Sequence, residues 1–214
     1  MDDNTGQRIR QHRSVRQEEI IAAAARLYEE KNFKDITISQ IGEATSFTRT
    51  SIYHYFQTKE EIFLALFAKE YDLWRDDLIS LAQRQRKEQD FAAALATTLA
   101  RRPRLLKLLS MNLYDMEEHS RIEKLVELKK AYGRSVQALE QCLRRHRPDL
   151  PEKERRGFLT VFFPFMYGLY PYTVLTKKQI EAMAQAGIEP QGYSIEALAR
   201  EGICRLLPES KSVK

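Results

Sequence analysis

The chain is short of the residues that build small chemical sites. Its two cysteines, Cys142 and Cys204, lie far apart in helical patterns, which excludes a disulfide-stapled scaffold and a cysteine-based metal site. Reduced thiols of a cytoplasmic protein are the expectation. The eight glycines are scattered, and none forms a loop that could cradle phosphate. The four histidines, His12, His54, His119 and His146, lack a second ligand at the i+3 or i+4 spacing of a helical zinc site. There is no Gly-x-Ser-x-Gly elbow and no cysteine beside a base. Asp76–Asp77 and Glu117–Glu118 fall on surface faces, where solvation explains them. No strand-like alternation, repeat or low-complexity tract is present. The N-terminus is acidic and then basic without an apolar run, so no secretory signal is expected. These absences argue against an enzyme, a cofactor or a metal, and for an all-α protein.

Only one long apolar run occurs. Gly157 to Thr176 is uncharged, flanked by Arg155–Arg156 and Lys177–Lys178, which by length alone suits a membrane span. Pro164, Gly168 and Pro171 interrupt it, and the rest of the chain has the pattern of a soluble helical protein. The expectation is therefore no membrane, but a helix kinked at its prolines and buried by its own domain and a second subunit. Loop is expected from Lys178, with Gly187, Pro190 and Gly192, before Ser194 caps a last helix ending at Pro208.

The remaining helices follow from period and caps. Ile20, Ile21, Ala24, Leu27 and Tyr28 give one buried face over Arg16–Lys31. A long helix opens at Lys59 and runs towards Lys87, through Ile62, Phe63, Leu66, Phe67, Trp74 and Leu78. An alanine-rich helix spans Asp90–Arg101, and Pro103 starts one that is apolar almost all round, expected to be buried. Tyr114–His119 reads as acidic loop. Ser120 and Glu123 have capping-box spacing and open a helix to Arg145. Net charge is +5, but residues 1–60 carry equal numbers of acidic and basic groups, so placement rather than total decides the partner. Arg8, Arg10, Arg13 and Arg16 form a basic arm suited to phosphates.

Thr37 to Lys59 is the stretch with a chemical surface. Thr37 and Gln40 have capping-box spacing, Ile38 and Ile41 point inward, and Gly42 admits a close backbone. Ala44–Phe47 makes a turn, and Thr48 caps a second helix, Arg49–Phe56. On a wheel of roughly 100° per residue, Ile52, Tyr55 and Phe56 share one side. Arg49, Thr50, Tyr53 and His54 share the other, a cation, a hydroxyl, a phenol and an imidazole that can meet phosphates and base edges together. Thr58 and Glu61 form a further capping box, and Lys59 in that first turn suits a phosphate.

At Ile38, Ile41, Phe47, Thr48, Arg49, Ser51, Ile52, Tyr53, His54, Tyr55, Phe56, Lys59 and Glu60 the sequence resembles the TetR family of bacterial one-component regulators. The resemblance covers the N-terminal third; beyond it only the helical plan and length agree. Ser46 stands where the family usually has glycine, which places Ser46 in a strained turn conformation, and Thr50 stands where a smaller residue is usual. The resemblance implies an all-α fold: an N-terminal three-helix helix-turn-helix DNA-binding domain, then a C-terminal helical bundle for ligand binding and dimerisation. The expected division is a flexible basic arm at 1–15, the DNA-binding domain at 16–58, the regulatory domain at 59–208 and a flexible tail at 209–214. The implied function is a regulator, most often a repressor, released from a palindromic double-stranded operator by a small, largely apolar or aromatic effector. Groove contacts are expected from Thr48, Arg49, Thr50 and Tyr53, and phosphate contacts from Thr37, His54 and Lys59. Trp74, Met111, Phe162, Phe165, Met166 and Tyr170 are the candidate pocket lining, and the last two long helices the candidate homodimer contact. A constitutive or architectural DNA-binding protein without inducer is the alternative.

Overall fold

The computed structural model describes residues 3–84, 91–111 and 113–208, with side chains from residue 13 onward. The expected tail at 209–214 lies outside the described residues, as do the side chains of Arg8 and Arg10. All regular elements described are helical: α1 Asp3–Glu30, a 3-10 turn Phe33–Asp35, α2 Ile38–Glu43, α3 Arg49–Tyr53, α4 Lys59–Gln83, α5 Phe91–Ala100 and α6 Pro103–Leu109. There follow α7 Leu113–Glu118, α8 Ile122–His146, α9 Glu152–Thr173, α10 Lys177–Gln185 and α11 Ile195–Leu206. The chain divides into two compact units, Met1–Lys69 with Asn112–Lys130, and Glu70–Met111 with Ala131–Lys214.

Five elements differ from expectation; α3 ends at Tyr53 rather than Phe56, where the Tyr55 and Phe56 N–H groups both turn to the Ile52 carbonyl. The first helix starts at Asp3 rather than Arg16. The apolar period begins only at Ile20, and Gln7, Arg8, Arg10, Gln11 and Arg13 are the helix-favouring residues in the added stretch. Tyr114–His119 contains a short helix, α7, centred on the buried Met116. The Ser120–Glu123 box does not form. The Ser120 hydroxyl donates back to the Met116 carbonyl at 2.7 Å, and α8 begins two residues later. Finally, α10 occupies part of the expected loop. Thr176 and Gln179 cap it reciprocally, a box as legible as Thr37–Gln40. Gly187 ends it at φ 70°, with the Ile188 N–H bonded to the Met183 carbonyl.

The first unit has a single apolar centre. Ile20, Ala24, Tyr28, Ile36, Ile41, Ile52, Phe56, Ile62 and Phe63 are buried there. Phe63 meets Tyr28 and Phe33 edge-on at 5.2 and 4.8 Å, a favoured arrangement of aromatic quadrupoles.

The second unit is built around Trp74. Its ring stacks on Phe162 at 6.4 Å and meets Phe163 edge-on at 6.1 Å, while its indole N–H donates to the Thr98 hydroxyl at 3.0 Å. Leu105, Leu106, Leu108 and Leu109 make α6 buried on several faces, as its composition requires. α11 packs on α5 and α9, and the small side chains of α5 allow that approach. Pro164 and Pro171 lie inside α9, which runs on past both. Among the described residues no single helix is long and apolar enough to cross a membrane; α9 and α10 reach that length only together, bent by 78°.

Candidate nucleic-acid interface

Two caps fix the geometry of α2 and α3. Thr37 Oγ1 accepts from the Gln40 N–H at 3.2 Å and Gln40 Oε1 accepts from the Thr37 N–H at 3.1 Å. Thr48 Oγ1 accepts from the Ser51 N–H at 3.2 Å and shares a hydrogen with the Ser51 hydroxyl. α3 is only five residues long, too short to hold itself together in water. Burial supplies what the helix lacks: Ile52 and Phe56 are 0% and 1% exposed.

That burial turns Arg49, Thr50, Tyr53 and His54 outward, and all four are exposed. The Arg49 guanidinium donates to the Tyr53 hydroxyl at 3.3 Å and lies 5.9 Å from its ring centroid. No carboxylate pairs with Arg49 among the described residues. The planar fork is thus pre-set on an aromatic face while keeping donors for an acceptor pair such as a guanine edge. Thr37 and Thr48 are also exposed, and their hydroxyl oxygens serve as helix caps.

Lys59 departs from the expected phosphate contact. Its ammonium donates to the Phe33 and Ile36 carbonyls at 2.8 and 2.9 Å and sits 4.1 Å from the Phe33 centroid. Burial pushes it below the ordinary lysine range. The Phe33 carbonyl accepts the Ile36 N–H that closes the 3-10 turn, and the ammonium takes its second lone pair together with the Ile36 carbonyl. Ser46 also departs from expectation. No residue other than glycine has a positive φ among those described, so Ser46 is not in a left-handed conformation. Its N–H instead donates to Glu19 Oε1 at 2.8 Å, which holds that carboxyl below its usual range.

This buttress is not legible in the sequence. Glu19, together with Arg16 over the Phe47 ring at 5.0 Å and Arg26 donating to the Ala44 carbonyl at 2.9 Å, ties α1 to the turn between α2 and α3. The only signal was a row of charges on α1 one or two turns apart, which a solvated face would also produce. Gly42 does admit a close backbone: a Cβ there would stand 3.4 Å from the Phe47 carbonyl oxygen and 3.5 Å from the Arg49 nitrogen.

The six candidate pocket residues are scattered in packing state. Trp74, Phe162 and Met166 are fully buried, Phe165 is half-buried against α11, and Met111 and Tyr170 are half-buried. Two surface cavities of the second unit, of about 600 and 380 Å³, are lined by none of the six.

Residues 20–66 match the family model described as bacterial regulatory proteins, tetR family. Residues 68–208 match the one described as tetracyclin repressor-like, C-terminal domain. The chain belongs to the TetR family. It is accordingly a DNA-binding transcriptional regulator, and α2 and α3 are the TetR helix-turn-helix. Solved structures share the TetR plan at low identity. The fatty acid degradation regulator FadR from Bacillus halodurans aligns with a TM-score of 0.58 and 17% identity, over 91% of this chain and 96% of that one. Thermus thermophilus FadR, a TetR-family repressor in complex with lauroyl-CoA, gives 0.55 and 20%, over 92% and 96%. Bacillus subtilis FadR in complex with stearoyl-CoA gives 0.52 and 16%, over 92% and 99%. At these identities the likeness is one of fold. No functionally curated protein matches the chain.

Proposed function

We propose that the protein is a repressor that binds a palindromic operator as a homodimer and leaves it when a largely apolar small molecule binds the second unit. The observation that carries the DNA half is the outward flank of α3, with Arg49, Thr50, Tyr53 and His54 exposed over a buried Ile52. Thr48, Arg49, Thr50 and Tyr53 read the groove, while Thr37 and His54 meet phosphate. Phosphate contacts set register and base contacts set sequence preference. Lys59 contributes chiefly by fixing the 3-10 turn beneath α4.

Dimerisation through α9 and α11 is supported by an uncharged exposed strip on α9: Gly157, Thr160, Val161, Pro164 and Tyr167. A two-fold interface places the same strip on both subunits, and a palindrome follows from it.

The ligand half is supported by the apolar, aromatic interior of the second unit and by the acyl-CoA thioesters held by two FadR proteins of the same fold. A ligand releases DNA only by binding the DNA-incompetent state more tightly. The dense packing of Trp74, Phe162 and Met166 favours a second reading, a constitutive DNA-binding factor without inducer.

Selection of genomic fragments by the purified protein, followed by titration of bound fragments with lauroyl-CoA and with uncharged aromatic compounds, separates these readings. Fragments bound and then released support the repressor. Fragments bound and never released support the constitutive factor, and a failure to retain any fragment at low salt removes both.

A further inference from the structure

A single carboxylate in the first unit joins the connection between α3 and α4 to a segment sixty residues further along the chain. Glu61, on the first turn of α4, has no exposed surface. Its Oε1 accepts from the Arg121 Nε at 2.6 Å and the Arg121 backbone N–H at 3.2 Å. Its Oε2 accepts from the Arg121 terminal nitrogen at 2.7 Å and the Gln57 N–H at 2.8 Å. Gln57 lies in the turn that leaves α3, and Arg121 immediately precedes α8. Glu61 thus satisfies an orphan amide at the start of α8 and pins the chain just after the recognition helix.

Neighbouring contacts repeat the connection. The Thr58 hydroxyl donates to the His119 carbonyl at 3.0 Å while accepting from the Glu61 N–H. The Lys124 ammonium stands 5.7 Å from the centroid of Phe56, the buried anchor that follows α3. Residues 119, 121 and 124 therefore grip residues 56 to 61. A bidentate fork of this kind fixes direction as well as distance. Removing its cation leaves a buried carboxylate with too few donors, a strongly unfavourable state.

We propose that Arg121 is a positioning residue for DNA recognition: its fork on Glu61 holds the turn between α3 and α4 so that the outward flank of α3 is presented in one orientation. Arg121 itself does not touch the operator. The inference rests on the reading of α3 as the recognition helix. It adds that α8, through its first residues, sets how well α3 reads. Linkage makes the effect reciprocal: operator binding slows amide exchange at Arg121 and Gln57.

The test uses the full chain and four forms: wild type, Arg121→Ala, Arg121→Lys and Glu61→Gln. Affinity for a genomic fragment selected by the wild type is compared with affinity for a scrambled duplex, alongside thermal melting and amide exchange at Gln57. Folded Arg121→Ala should lose the selected fragment about tenfold or more, change little on the scrambled duplex and exchange the Gln57 amide faster. Arg121→Lys keeps the charge without the fork and should recover part of the loss. Arg121→Ala that stays folded and binds the selected fragment within about twofold of wild type overturns the proposal. If Arg121→Ala does not fold, Glu61→Gln decides. Unchanged exchange at Gln57 or unchanged discrimination in that variant overturns it equally. If the wild type selects no fragment, the reading of α3 fails, while exchange at Gln57 still reports whether Arg121 holds the turn.

Discussion

The Phe165 ring fills the space that a side chain at position 202 would need. A Cβ built on Gly202 would lie 2.2 Å from Phe165 Cζ, so α9 and α11 meet in the second unit through a glycine on one helix and an aromatic ring on the other. Gly202→Ala must displace that ring, and overpacking of this kind costs about 1–3 kcal/mol. The expected result is a lower denaturant midpoint in urea unfolding. Phe165→Leu in the same background should recover part of the loss, because a shorter side chain clears the added methyl.

Arg49 and Lys59 should separate recognition from stability. Arg49→Ala should reduce affinity for a selected fragment relative to a scrambled duplex by about 1–3 kcal/mol, with melting unchanged. Lys59→Ala removes the ammonium from the Phe33 and Ile36 carbonyls and should lower stability by about 1–3 kcal/mol. Parallel DNA-binding and melting measurements on the two variants check the division. Equal losses of discrimination with unchanged melting in both would return Lys59 to the role of a phosphate contact.

Glu61 should make stability fall on the acid side. Burial alone would raise its carboxyl, but the Arg121 guanidinium and the Gln57 and Arg121 N–H groups outweigh that and hold it below its ordinary value of 4.5. A carboxyl depressed in the folded state contributes stability that is fully present above the unfolded value. That contribution is lost as pH falls through the folded-state pKa. Urea midpoints measured between about pH 3 and pH 7 should drop at the acid end more steeply in the wild type than in Glu61→Gln.

Cys142 should be chemically silent in the native protein. Burial pushes its thiol up to about 12, and its sulfur donates to the Leu78 carbonyl at 2.9 Å. The thiolate is the reacting species, so almost none is present at neutral pH. In a Cys204→Ser background, maleimide should label Cys142 only after denaturant is added. Labelling at the rate of a free thiol in native buffer would contradict the burial.

Local signals carried the sequence a long way. The Thr37–Gln40 box, the Thr48 and Ser194 caps, Pro103 at a helix start and the 3.6-residue period all concern groups within a turn or two of each other, and the helices they announce formed. The outward set of α3 was legible for the same reason, since Ile52 and Phe56 on one side fix where Arg49 and Tyr53 must point. The Thr176–Gln179 box was equally local and lay hidden among the glycines and prolines that follow it. Ser120 shows the limit of such signals, because its hydroxyl had two local acceptors or donors to choose from and took the Met116 carbonyl. What only the tertiary structure decided concerns long-range competition for donors. Lys59 turned to two carbonyls more than twenty residues away in sequence, Ser46 found Glu19, and Glu61 found Arg121 sixty residues on. A helix pattern specifies which face a side chain occupies; which distant polar group completes its hydrogen bonds depends on how the buried faces have already packed.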